Sequence, residues 1–171
     1  MDNRIDADME QISYFRRSVG RTVAMDAALL ALACVVPMVS HALAFPLYKL
    51  NPMLALLLAS MLGRGGWRNG VVMAVLLPLA SWLVVGMPVG MKAVCMAAEL
   101  LTVAAVWGEL NGRWKPLAAV MAAVVVGKGV YYGLKAVLIS SVALVGTEWW
   151  VQVGVAVAWC GLFALVYKRM Q

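Results

Sequence analysis

The chain has 171 residues, 64% of them hydrophobic and 13% charged, where a soluble domain is about half apolar and a quarter charged. That balance marks an integral membrane protein and leaves no length for a separate soluble or nucleotide-binding module. The net charge of +6 does not point to nucleic acid, because the basic residues fall in ones and twos between apolar runs, as they do in proteins that orient themselves in a bilayer. Cys34, Cys95 and Cys160 lie far apart inside apolar runs. They are read as small buried hydrophobes, with no metal spacing, no disulfide framework and no cofactor implied.

Residues 1–21 are expected to be a cytoplasmic tail, either loosely ordered or a short amphipathic helix on the membrane surface. They are polar at the start, so no cleavable signal is expected and the first apolar run stays as a span. Span 1, Thr22 to Val39, sets Ala24 over Ala28 and Ala27 over Ala31. Small residues four apart let another helix approach closely in lipid. Asp26 is placed near the inner end of this span, within reach of water. The segment Ser40 to Asn51 is the longest outer loop and holds His41, Phe45, Tyr48, Lys49 and Asn51.

Span 2, Pro52 to Leu62, rises only about 16 Å, too little for a full crossing, so it is expected to be a half-depth or tilted helix or to extend into the loop before it. The glycine-rich turn after it, with Arg64 and Arg68, lacks the lysine-serine ending of a phosphate loop. Span 3 is Gly70 to Val85, with a kink expected at Pro78. After the break at Gly86-Met87-Pro88, span 4 runs from Gly90 to Leu110 and carries Lys92 and Glu99. Asn111 to Pro116 is a turn where a helix should stop. Span 5, Leu117 to Leu138, carries Lys128 and Lys135, with Tyr131 and Tyr132 between them. Span 6 is Trp149 to Tyr167, aromatic at both ends as interfacial belts are, and 168–171 form a short tail.

With both ends inside, the inner segments hold ten basic residues: Arg4, Arg16, Arg17, Arg21, Arg64, Arg68, Arg113, Lys115, Lys168 and Arg169. The outer loops hold Lys49 and Lys92. The positive-inside rule therefore predicts six spans across residues 22–167, both termini cytoplasmic, in an all-α transmembrane bundle.

A carboxylate within hydrocarbon is costly and marks function by default. Counting about 1.5 Å per residue puts Glu99 at the level of Tyr131 and Tyr132, between the two lysines. Aromatic rings with a few placed charges suit a small-molecule pocket, here open to the outside and lidded by the 40–51 loop. The candidate site is Glu99, Lys128, Tyr131, Tyr132 and Lys135, with Lys92, His41, Tyr48, Asn51 and Trp149 around its mouth. Two lysines against one glutamate, with Lys49 and Lys92 at the rim, favour an anionic substrate. The alternative is a buried structural pair between Glu99 and one lysine. No catalytic set is visible, since His41 is alone in a loop and Ser81, Ser140 and Ser141 have no partner base, so an enzyme is not expected. The spans are too few for a self-contained inverted-repeat transporter.

Several short motifs together resemble a known family. They are Asn51-Pro52-Met53 opening span 2, the glycine turn before span 3, Pro78-Leu79 followed by Gly86-Met87-Pro88, Glu99 in span 4, and Gly127-Lys128 in span 5. Over about residues 22–140 the chain resembles the substrate-binding S components of energy-coupling factor (ECF) vitamin transporters. The resemblance implies a six-helix bundle that binds a vitamin or related micronutrient from outside, in the bacterial cytoplasmic (inner) membrane. It further implies docking on a transmembrane coupling subunit driven by two cytoplasmic ATPases, with Ala24, Ala27, Ala28 and Ala31 on the docking face. Its pocket would lie among the first outer loop and helices 4 to 6. One departure is Leu54, where some members carry histidine after the Pro-Met pair. The residues that define thiamine, riboflavin or biotin binding are not seen, so no substrate carries over. The competing reading is a membrane scaffold similar to the rod-shape protein MreD, with Glu99 and Lys128 an internal pair. A membrane enzyme acting on lipid is a weaker third.

Overall fold

The computed structural model describes residues 2–43, 47–63, 66–88, 90–138 and 149–170, the side chains of 2–18, 48, 149 and 150 excepted. Among them are the α-helices α1 (Asp2–Ala42), α2 (Pro52–Met61), α3 (Gly66–Val85), α4 (Gly90–Leu110), α5 (Pro116–Leu138) and α6 (Trp149–Met170), with a 3-10 turn, Leu47–Leu50, ahead of α2. Five of these are long and apolar enough to cross a membrane, the apolar part of α1 beginning at Val19. No described residue lies in a strand, and the only bridge pairs Asn111 with Trp114. The chain is an all-helical, multi-pass membrane protein.

Helix ends follow local chemistry. Asn51 adopts the left-handed conformation (φ 47°) and Pro52 takes the first position of α2, where a missing N–H costs nothing. Gly86 follows α3 at φ 74°, and Gly112 turns the chain between α4 and α5 at φ 85°, a region that other residues enter only with strain. Pro116 then opens α5. At two places the backbone departs from the sequence reading. No break separates a tail from the first span, because α1 is one helix of 41 residues. Its single glycine, Gly20, at the start of the apolar part, costs only about 1 kcal/mol. Helix α1 also runs on through Pro37 to Ala42, shortening the expected outer loop; Pro78, as read from the sequence, lies inside α3. In lipid a helix interrupted by proline is kept because the remaining backbone groups have no water to turn to.

Helix α4 packs between α3 and α5, α6 lies against α5, and α1 lies against α3. The short α2 touches α1, α3, α4 and α6, which makes it the inner element of the bundle. Its Leu54 and Leu57 are fully buried, so its ten residues serve as core on nearly every side. The 3-10 turn contacts α1, α2 and α6 and closes one end, called here the upper end. Trp159 of α6 holds that turn by donating its indole N–H to the Leu50 carbonyl at 2.9 Å.

The lower half is the packed half. Trp107 of α4 meets Phe163 and Tyr167 of α6 edge-on at 4.9 and 5.2 Å, and the Tyr167 hydroxyl donates to Asn111 Oδ1 at 2.9 Å. Asn69 of α3 donates to Asp26 Oδ1 of α1 at 2.8 Å and to the Ser60 carbonyl of α2 at 3.4 Å. Three helices are thereby tied by polar bonds, which in lipid have few competitors.

Candidate binding site

Glu99 stands nine residues into α4 and Lys128 ten residues before the end of α5. Both are thus roughly 13–15 Å from the upper helix ends, near mid-depth of a hydrocarbon layer of about 30 Å. The Lys128 ammonium donates to Glu99 Oε1 at 2.7 Å. The two charges are unequally covered: the Glu99 side chain is 6% exposed and that of Lys128 is 24% exposed. Glu99 is held inside the bundle, and Lys128 is the member of the pair that a visitor would reach.

Glycine brings the helices this close. A Cβ on Gly127 would lie 2.6 Å from Val103 Cγ2 and 3.0 Å from the Glu99 carbonyl oxygen. The backbones of α4 and α5 therefore nearly touch beside the pair. This corrects the depth read from the sequence. Glu99 is level with Gly127 and Lys128, one turn deeper than Tyr131 and Tyr132, because the close approach at Gly127 sets the α4 and α5 backbones side by side there.

One turn above, the Lys128 ammonium lies 5.5 Å from the centre of the Tyr131 ring, within the range of a cation–π contact. Tyr131 meets Tyr132 edge-on at 5.3 Å. Lys135 continues the same face of α5 two turns above Lys128, half-buried. Packing changes at the level of the pair. Below it, Val103 and Trp107 of α4 and Val120 and Ala123 of α5 are buried. Above it, Cys95 and Ala93 of α4 are still buried, while Met96, Tyr131, Tyr132 and Lys135 are half-buried. The pair lies inside the packed bundle on the α4 side, and the Tyr131–Tyr132 face of α5 above it is half-covered.

The structure does not gather every predicted site residue here. His41 ends α1, is exposed, and contacts Met87 Sδ at 3.3 Å. Lys92 is exposed on the first turn of α4. Asn51 sits at the start of α2 with its Nδ2 buried and without a hydrogen-bond partner. The side chains of Tyr48 and Trp149 lie outside the described residues. Ala24, Ala27, Ala28 and Ala31 are all exposed, while Leu29 and Ala33 of the same helix are buried; the alanines thus line the outer face of α1. Sequence reasoning missed Asn69, Trp159 and Met87. Trp159 carried a signal, being a polar-tipped side chain within an apolar run, whereas Asn69, in the glycine-rich turn, carried none.

Ser81 is buried and donates to the Met87 carbonyl at 2.6 Å, a role in the α3–α4 turn. Comparison with family models, curated proteins and solved structures returns no match.

Proposed function

We propose that this chain is the substrate-capture subunit of an importer, in the manner of the ECF S components it resembles, with six spans, both termini cytoplasmic and its seat in the bacterial inner membrane. It takes a small vitamin-like molecule from the upper, outer side, and the exposed alanine face of α1 docks on a transmembrane coupling subunit driven by two ATPases. The observation that carries this reading is an ion pair near mid-depth, its lysine one-quarter exposed, beneath the half-covered Tyr131–Tyr132 face of α5. An intramembrane charge that serves packing alone is a poor investment, since apolar residues of similar volume do as well or better. Lys128 retains donors beyond the one spent on Glu99, and with Lys135 above it this supports an anionic substrate.

Native mass spectrometry of the protein purified in mild detergent, without added ligand, is the test. A small molecule retained one per chain is expected. An empty protein with no thermal shift across a panel of vitamins would sink the reading. Docking has its own prediction. Ala28→Leu, on the exposed side of α1, should leave the melting temperature unchanged and the ligand bound while abolishing uptake in cells. Uptake at wild-type level would remove the docking role from that face.

One observation favours a second reading, a membrane scaffold similar to MreD. The pair is complete in itself at 2.7 Å, which suits an internal structural link with no ligand.

A further inference from the structure

We propose that the upper end carries a soft-metal site, built on His41 and Met87, for a monovalent cation of the Cu(I) class. The two residues come from elements far apart in sequence, the last turn of α1 and the α3–α4 turn, and they meet through their donor atoms, with His41 Nε2 at 3.3 Å from Met87 Sδ. Nitrogen and sulfur ligands sit about 2.0 and 2.3 Å from a bound metal. Bonds of that length to two atoms 3.3 Å apart subtend about 100° at the metal. That angle belongs to a three- or four-coordinate centre, not a linear one, and so requires further donors.

A thioether of the right kind stands one turn from His41, and another lies on the first turn of the helix that follows Met87. Met38 precedes His41 by three residues and shares its face of α1. Met91 follows Met87 by four residues, on the first turn of α4. Both are exposed, at 57% and 50%, so neither is committed to the core.

The donor set selects the ion. Thioether sulfur is soft and favours Cu(I), whereas Mg²⁺ and Ca²⁺ require oxygen ligands. Among the described residues no three of His, Cys, Asp and Glu come together, so no harder set competes. Lys92, next to Met91 in sequence, adds a positive charge that opposes a divalent ion twice as strongly as a monovalent one. A bound ion would clasp the end of α1 to the α3–α4 turn. The site is separate from Glu99 and Lys128, and ligand capture can fail while it holds.

The test is an anaerobic titration of the detergent-purified chain with Cu(I) against bicinchoninate, after accessible thiols are blocked with N-ethylmaleimide. One Cu(I) per chain is expected, with a raised melting temperature, since binding to the folded state alone stabilises it. His41→Ala and Met87→Leu should each weaken binding about tenfold or more. Their metal-free melting should stay at the wild-type value, because both side chains are exposed. Zn(II) should not displace the ion. Absence of a one-to-one complex, or wild-type affinity in both variants, overturns the site and leaves only an imidazole–thioether hydrogen bond.

Discussion

Lys128→Ala is expected to destabilise the chain by about 3–5 kcal/mol, because it leaves the Glu99 carboxylate buried with no countercharge. Glu99→Ala should cost less, since Lys128 is one-quarter exposed and keeps its contact with the Tyr131 ring. The informative variant removes both charges. Glu99→Leu with Lys128→Met replaces the pair by apolar groups of similar length, and such replacements are often neutral or stabilising. The double variant should therefore melt near the wild type, well above the Lys128→Ala single. Thermal unfolding in detergent checks this cycle, and simple additivity of the two single effects would show that the groups do not act as a pair. The same double variant separates the two functional readings. A capture subunit would fold and hold no ligand, whereas a scaffold would keep both its fold and its role.

Gly127→Ala is the second large effect, and here the cause is space. The added Cβ would stand 2.6 Å from Val103 Cγ2 and 3.0 Å from the Glu99 carbonyl oxygen. Val103 is itself fully buried and the oxygen belongs to the α4 backbone, so neither neighbour can yield by a rotamer change. Helix α5 must move away from α4, at a cost of about 1–3 kcal/mol, and more for Gly127→Val. The shift also stretches the Lys128–Glu99 bond, so ligand retention should fall with stability. Gly129→Ala is the matched control. Nothing lies within 4 Å of a Cβ there, and alanine in an open helical position is worth roughly 0.5–1 kcal/mol over glycine. The two alanine variants should thus move the melting temperature in opposite directions. Equal melting temperatures would mean that the close approach at Gly127 does not limit the packing of α4 on α5.

The sequence by itself determined the solvent and most of the helices. A composition of 64% hydrophobic residues leaves no alternative to a membrane, and in lipid apolar runs of spanning length must be helical. The boundaries of α4 were legible to the residue, because Gly90 and the Asn111-Gly112 turn stop a helix chemically. The shortness of α2 was legible from Pro52 and the glycine turn after it. That the carboxylate and a lysine belong together was also legible, because each needs a partner at that depth.

The tertiary structure decided which lysine it is. Lys128 and Lys135 are two turns apart on one face of α5, and helical phase cannot choose between them. The choice comes from the close approach at Gly127, which sets the backbones of α4 and α5 level with Lys128. It likewise decided that α2, the shortest of the α-helices, is the inner element of the bundle, since burial on nearly every side depends on neighbours distant in sequence. The continuity of α1 and the meeting of His41 with Met87 were equally out of reach. A helix without a strong breaker has no local stop, and a contact across 46 residues exists only once α1 and the α3–α4 turn are packed side by side.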